Sequence, residues 1–523
     1  MGRVLVTEEI AENGLDLLRE AGHQVDVRLE LSADQLLDAV AGVDAIIIRS
    51  ATKVTAEVLE AAADLVVIGR AGIGLDNIDV DAATARGVMV VNAPQSNVLS
   101  AAEHTMALLL AQARNIPQAH TALTAGRWER SRWEGVELAD KVLGVVGLGR
   151  IGKLVAQRAL AFGMRVIAFD PYVAPERARQ LNVELVELGE LMARSDFVAI
   201  HVAKTAETVG LIGRQVLARA KPGVRIVNAA RGGIVDEEAL ADAIRAGRVG
   251  GAAFDVFAEE PTTSSPLFGL EQVVVTPHLG ASTREAQDKA GATIAQQVLL
   301  ALAGDFVPLA VNLAASEVAE AVRPFVALAE RLGRLYGSLN QGTPARLEVE
   351  YHGQLADHDT RVLNLAVLKG LFGEVSHEPV TFVNAPRIAG DRGVEVVTRS
   401  SAAAQEYVNL IIVRGGDHAV GGTLVGLRHE PRIVMLDDHS VEVPPSPNLL
   451  VVRNEDRPGM IATVATALAE ADVNIDDMHL GRSADGKPAL QILATSVPVP
   501  VAVQEQIRSH AGIVSVHAIR LPE

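Results

Sequence analysis

The chain has no cysteine. Disulfides, thiolate metal ligands and thiol redox sensing are therefore excluded, and the absence suits a reducing compartment, so a cytoplasmic protein is expected. Aromatic residues are scarce, 3% of 523. Cores must then be built from Val, Leu, Ile and Ala, which suits parallel sheets covered by helices on both faces. Positive charge is in deficit: 47 Lys and Arg stand against 65 Asp and Glu, a formal net charge of −18. A field of that sign disfavours nucleic acid and anionic membrane as partners. It also requires a local basic pocket to capture any anionic substrate. No apolar stretch reaches the roughly 18 residues a membrane helix needs. The opening MGRVLVTEEIAENG has three apolar residues before two glutamates and does not read as a signal peptide. No metal site is expected.

What the chain does have is alternation. Over the first 310 residues short apolar runs alternate with helical periods, as in βαβ units. Strands are expected at Val4–Val6, Ala45–Ile48, Leu65–Ile68 and Val88–Val90. A long helix follows, with Ser100 and Glu103 at capping-box spacing and Pro117 as its stop. A second run places strands at Val142–Val146, Arg165–Phe169, Phe197–His201, Arg225–Asn228, Ala252–Val256 and Val273–Val275. Beyond Asn312 strand-like pieces dominate: Arg346–His352, Pro379–Asn384, Asn409–Arg414 and Arg432–Leu436, with a helix near Thr360–Phe372. After a stiff linker at Pro444–Asn448 the remainder reads β-α-β-β-α-β, a ferredoxin-like pattern. The expected fold class is α/β, with two Rossmann-like doubly wound domains, 1–98 with 287–310, and 99–286. An α+β intermediate domain, 311–446, and a ferredoxin-like domain, 447–523, complete it.

The segment KVLGVVGLGRIGKLVAQRA carries G-x-G-x-x-G at Gly147, Gly149 and Gly152. Alone the pattern is weak; here an apolar strand precedes it, a helix follows, and the next strand ends in Asp170. The glycines permit a tight turn, close approach to a pyrophosphate and close helix–strand packing, while the helix N-terminus offers free N–H groups. Asp170 lies 18 residues after Gly152, close to the spacing of about 20 at which a carboxylate meets the adenosine ribose. It would repel a 2′-phosphate, so NAD is expected and not NADP.

Three polar residues follow predicted strand ends: Arg231 in NAARGGIVDEEAL, Glu260 in FDVFAEEP and His278 in TPHLGAS. Asp236 has the place of an N-cap, which keeps Arg231 on a loop. Oxidising a 2-hydroxy acid needs a base for the hydroxyl proton, and histidine titrates in the useful range. A carboxylate would orient the ring, and an arginine would grip the substrate carboxylate and steady charge at the C2 oxygen. Any one of these alone is more often a loop or capping residue.

In combination, the order GLGRIG, NAARGGIVDEEAL, FDVFAEEP and TPHLGAS resembles the D-isomer-specific 2-hydroxy-acid dehydrogenases over nearly all of residues 1–312. The resemblance implies a catalytic set of Arg231, Glu260 and His278. It also implies that Asp255 lies near the nicotinamide carboxamide, with Gly280 and Ala281 on the same wall. Arg150, Ile151 and Ala229 complete the expected cofactor contacts. The segments IIIRSATKVT, GRAGIGLDNID and NAPQSNVLSAAEHT resemble the branch of that family acting on a phosphorylated hydroxy acid, 3-phosphoglycerate. By that likeness Arg49 and Asn97 hold the phosphate end, and backbone N–H groups near Gly72 and Gly74 hold the carboxylate. An Arg on a loop edge suits bidentate phosphate recognition. The pair Trp128 and Trp133 lies where relatives build a dimer, and a homotetramer is expected.

The tail RNEDRPGMIATVATALAEADVNIDDMHLGR resembles an ACT domain, a small amino-acid-sensing fold. The resemblance implies an effector, L-serine, near Asn454, Asp456 and Asn474. The intermediate segment resembles the extra domain of long members of the family. Two other readings stay open: reduction of another 2-keto acid such as 2-oxoglutarate, glyoxylate or hydroxypyruvate, and a NAD-sensing scaffold on the same fold.

Overall fold

The structure, a computed structural model, describes residues 2–521 apart from 314–317, 341–342, 374–375, 377–379, 404–405, 438 and 482–487. Its first sheet comprises β1 (Arg3–Val6), β2 (Gln24–Val27), β3 (Ala45–Ile48), β4 (Val67–Arg70) and β5 (Met89–Asn92), in the order β2-β1-β3-β4-β5. The second comprises β6 (Val142–Val146), β7 (Arg165–Phe169), β8 (Glu184–Leu185), β9 (Phe197–Ile200), β10 (Val224–Asn228), β11 (Val249–Phe254) and β12 (Val273–Val275). Its order is β12-β11-β10-β9-β6-β7-β8. Every neighbour pair in both sheets is parallel. Strand β3, sequence AIII, is buried at all four positions, as a strand covered on both faces must be. The order in which strands are added reverses beside the first strand of each sheet, between β1 and β3 and between β6 and β9. Crevices outside the strand ends at such points are where ligands bind in open α/β sheets.

The helix Arg284–Leu302 returns to cover the first sheet, burying Ile294, Ala295 and Val298 against it. That core continues through Val307, Ala310 and Leu313 into the helix Phe325–Leu339, the third sheet and Leu449, Val451 and Ile519 of the fourth. The second sheet instead has two cores of its own, one on each face.

The third sheet is mixed. Arg346–Gly353 pairs parallel with Glu395–Ser401 and antiparallel with Asn409–Gly415. Antiparallel strands His418–Val425, Glu430–Leu436 and His439–Val443 extend it. Helices Phe325–Leu339 and Arg361–Phe372 cross on one side with their backbones nearly touching; a Cβ on Gly333 would stand 2.1 Å from the Val367 carbonyl oxygen. The fourth sheet is antiparallel and carries the helices Met460–Glu470 and Val501–Arg508, completing β-α-β-β-α-β. Among the described residues no helix is long and apolar enough to cross a membrane.

Several local expectations are corrected. Ser100 and Glu103 form no capping box. The helix starts at Val98 after Asn97, so Ser100 lies inside its first turn and hydrogen-bonds the Thr283 hydroxyl (2.8 Å). Pro117 does not stop that helix, which ends at Ala113. Asn115 turns the chain in a left-handed conformation (φ 52°), and Pro117 opens the next helix, Ile116–Thr124, where its missing N–H costs nothing. Of the expected strand Pro379–Asn384, Pro379 lies outside the described residues. The rest is a turn in which Thr381 and Asn384 cap one another, N–H to side chain at 2.7 and 3.3 Å, before the helix Ala385–Asp391. Strand β4 runs to Arg70 and not to Ile68, and this carries Arg70 into the site described next.

Candidate active site

The ends of β10, β11 and β12 bring Arg231, Glu260 and His278 to one cleft, as the sequence predicts. Asp236 accepts from the Ala239 N–H (3.0 Å) and starts its helix there, so Arg231 stays on the preceding loop. His278 Nδ1 lies 2.6 Å from Glu260 Oε2. Glu260 Oε1 in turn accepts the Phe257 N–H at 2.8 Å. Burial pushes the Glu260 carboxyl up, but the bonds from His278 and Phe257 outweigh it and hold it below the usual carboxylate range. An ionised Glu260 fixes the proton on Nδ1 and leaves Nε2 as the nitrogen available to the cleft. His278 itself sits at φ 55°, a left-handed position that costs about 1–2 kcal/mol for a non-glycine residue.

A buried carboxylate holds that strained loop. Asp255 accepts the Thr276 hydroxyl (2.6 Å), the Leu279 N–H (2.7 Å) and the Gly280 N–H (2.8 Å), and stands 3.1 Å from His104 Nε2. The Asp255 carbonyl also accepts the His278 N–H at 2.8 Å. Burial pushes the Asp255 carboxyl up, yet His104, Thr276 and Leu279 together hold it below its usual range. Sequence reasoning singled out Asp255 but missed His104. The only signal for it is a lone histidine inside the apolar helix run SAAEHTMALLL.

The facing wall comes from the first sheet. The cleft, about 1020 Å³, is lined there by Arg49, Arg70, Gly72, Gly74 and Asn97. Arg70 was not anticipated. Burial, and then the neighbouring Arg231, push its guanidinium down to about 10, so it remains a cation. Its Nε finds no partner among the described residues. A Cβ on Gly72 would stand 2.2 Å from Arg70 Nη1, and one on Gly74 2.5 Å from Arg231 Nη2. These glycines therefore make room for two guanidiniums, beyond any use of their N–H groups. The Gly72 N–H is already given to the Arg70 carbonyl (2.7 Å). Arg231 donates to the Ala230 carbonyl (2.7 Å) and lies 3.4 Å from Asp76. Asn97 Oδ1 is buried without a partner among the described residues.

The glycine-rich loop fits a dinucleotide. Gly147 takes φ 94°, and a Cβ there would meet the His201 carbonyl at 2.6 Å. A Cβ on Gly152 would collide with the Gly147 carbonyl at 2.1 Å, whereas Gly149 faces open space. The helix Arg150–Ala161 begins after Gly149 with no side-chain cap, leaving its first N–H groups for a pyrophosphate. Asp170 is fixed beside the loop by the Leu148 and Tyr172 N–H groups (2.8 and 2.9 Å). Ile151, Ala229, Gly280 and Ala281 line the cleft further in. Arg150 reaches away to the Pro94 carbonyl (3.2 Å), a tie between the two sheets' units. His201, also on the cleft wall, is pushed down to about 4 by burial and is neutral near pH 7.

In the C-terminal unit the three expected effector residues differ in availability. Asn454 is buried, accepting from Gln491 Nε2 (2.8 Å) and donating to the Glu455 carbonyl (2.7 Å). Asn474 is exposed and donates to Asp476 (2.8 Å), and Asp456 is exposed in the turn before the helix Met460–Glu470.

Comparison with known proteins identifies the units of the chain. Residues 106–280 match the D-isomer specific 2-hydroxyacid dehydrogenase NAD binding domain, 321–437 the D-3-phosphoglycerate dehydrogenase intervening domain, and 448–512 the ACT domain. The chain is 49% identical over 511 residues to the D-3-phosphoglycerate dehydrogenase of Mycobacterium bovis, covering 96% of each. It is 41% identical over 526 residues to that of Methanocaldococcus jannaschii, covering 100% of both. Among solved structures, D-lactate dehydrogenase from Aquifex aeolicus complexed with NAD and lactic acid superposes with a TM-score of 0.52. It has 27% identity and covers 58% of this chain and 96% of its own. The chain is thus an NAD-dependent dehydrogenase and belongs to the D-3-phosphoglycerate dehydrogenase family, in the form that carries an intervening domain and an ACT domain.

Proposed function

We infer that the chain oxidises 3-phospho-D-glycerate to 3-phosphohydroxypyruvate, the entry step of L-serine synthesis. The observation that carries the reading is the facing of two walls. A carboxylate-oriented histidine, Glu260 with His278, stands across a cleft from Arg49 and Arg70, in a chain whose net charge is −18. His278 Nε2 takes the C2 hydroxyl proton, and Glu260 favours the imidazolium that forms. Arg231 grips the substrate carboxylate and steadies charge at the C2 oxygen. Arg49 and Asn97, with Arg70 behind them, hold the phosphate. NAD+, when bound, supplies the hydride acceptor. Gly147, Gly149 and Gly152 would bed its pyrophosphate, and Asp170 would accept from the ribose hydroxyls.

Asp456 and Asn474, both exposed on the ACT unit, would receive the ammonium and carboxylate of an amino acid, L-serine. A cytoplasmic homotetramer is the assembly proposed. Trp128 is 82% exposed, and Ile116 and Leu123 on the preceding helix are exposed too, an apolar surface suited to a second copy.

The test follows NADH absorbance with 3-phosphohydroxypyruvate, with and without L-serine. Rapid turnover that serine suppresses supports both the substrate and the effector. Turnover confined to glyoxylate or 2-oxoglutarate would overturn the substrate, and NADH binding with no turnover on any 2-keto acid would favour a NAD-sensing scaffold.

A further inference from the structure

The strand order of the first sheet reverses between β1 and β3, and the loops leaving those two strands meet there. The loop after β3, Arg49–Thr52, turns four successive N–H groups toward one point. Glu8, two residues past the end of β1, fills that point. Its Oε1 accepts from Arg49 N (2.8 Å) and Thr52 N (2.9 Å), and its Oε2 from Ser50 N (3.2 Å) and Ala51 N (3.1 Å). A concave run of N–H groups of this kind is an anion cradle, and here the anion is the chain's own. Burial pushes the Glu8 carboxyl up, but these backbone bonds hold it below its usual range.

The opposite side of the loop is fixed as well. Asn77 Nδ2 donates to the carbonyls of Arg49 (2.9 Å) and Thr52 (2.6 Å), and the Thr7 and Thr52 hydroxyls meet at 2.8 Å. Arg49 Nη1 donates to the Glu9 carbonyl at 3.3 Å. The backbone that carries Arg49 is thus gripped on its amide side by one carboxylate and on its carbonyl side by one amide. The cradle is satisfied from within, so a substrate anion meets the guanidiniums of Arg49 and Arg70 and not the loop's N–H groups. Nothing in the sequence marks Glu8: in LVTEEIAEN it reads as one of three solvated glutamates.

We propose that Glu8 is a positioning residue for phosphate recognition, holding the Arg49–Thr52 loop in the one conformation that presents Arg49 to the cleft. This rests on the reading of Arg49 as the phosphate's partner. A glutamine has one acceptor oxygen where the carboxylate has two. Glu8→Gln therefore strands two of the four N–H groups, and the loop loses its fixed shape.

The experiment compares 3-phosphohydroxypyruvate with unphosphorylated hydroxypyruvate in steady-state assays of the full chain, for wild type, Glu8→Gln, Glu8→Asp and Arg49→Ala. Glu8→Gln is expected to raise KM for the phosphorylated substrate about tenfold, with a much smaller change in its kcat and in KM for hydroxypyruvate. Glu8→Asp, which keeps both oxygens on a shorter stem, should recover part of the loss. It also carries the test if Glu8→Gln fails to fold. The proposal is overturned if Arg49→Ala abolishes the preference for the phosphorylated substrate while both Glu8 variants keep it, or raise KM for the two substrates in parallel. If Arg49→Ala itself keeps the preference, the phosphate reading of Arg49 fails and the proposal falls with it.

Discussion

The two walls of the cleft settle their charges differently. On the second-sheet side two carboxylates are matched before any ligand arrives: Glu260 with His278 and the Phe257 N–H, Asp255 with His104, Thr276 and two backbone N–H groups. On the first-sheet side Arg70 is buried beside Arg231, whose repulsion acts on it more than the attraction of Asp76 or of Glu8, and its Nε has no partner among the described residues. The first arrangement stores geometry for a proton transfer. The second stores electrostatic demand for an anion. The cores differ as well. One face of the first sheet shares a continuous core with the third and fourth sheets and its other face has a core of its own, whereas both cores of the second sheet are its own.

The sharpest way to break this contrast is to remove the proposed proton acceptor. His278→Ala should lower kcat about a thousandfold while KM for 3-phosphohydroxypyruvate changes little, read in steady-state assays. A parallel loss in KM would mean the chemical wall also binds. Next in size, Arg70→Leu should raise KM for the phosphorylated substrate about thirtyfold and lower kcat much less. The smallest effect is on stability. Asp255→Asn leaves part of the 276–280 anchor unmade and should cost about 1–3 kcal/mol at pH 7 in denaturant unfolding. Because the folded Asp255 carboxyl is held below its usual range, wild type holds this advantage above about pH 4. It loses it as pH falls through the folded value, so the two unfolding curves should converge in acid.

Much of the site was legible in the chain. The glycine loop could be read because its three glycines serve backbone needs that no other residue meets. The Arg231, Glu260 and His278 segments could be read because each follows a short apolar strand and stands in a recognisable order. Arg70 escaped because strand β4 runs two residues further than its apolar run, which places a cation at a buried strand end. His104 escaped because its partner, Asp255, is 151 residues away in sequence. Asn454 reads as an effector ligand from the motif alone, yet its amide is spent on Gln491, a neighbour that only sheet pairing supplies.

The sequence by itself determined the layers of this protein, since apolar periodicity and turn residues are local properties that burial then enforces. It also determined the dinucleotide and the class of reaction, because these depend on residue types at fixed spacing. The tertiary structure alone decided which charges are neutralised within the chain and which remain for a ligand. Glu8 and Arg70 are both charged residues at the end of a strand, and what separates them is the company each keeps. Glu8 is enclosed by four N–H groups from a loop 41 to 44 residues away, and Arg70 is set beside another arginine. Electrostatic interaction acts through distance in space, and distance along the chain does not fix it.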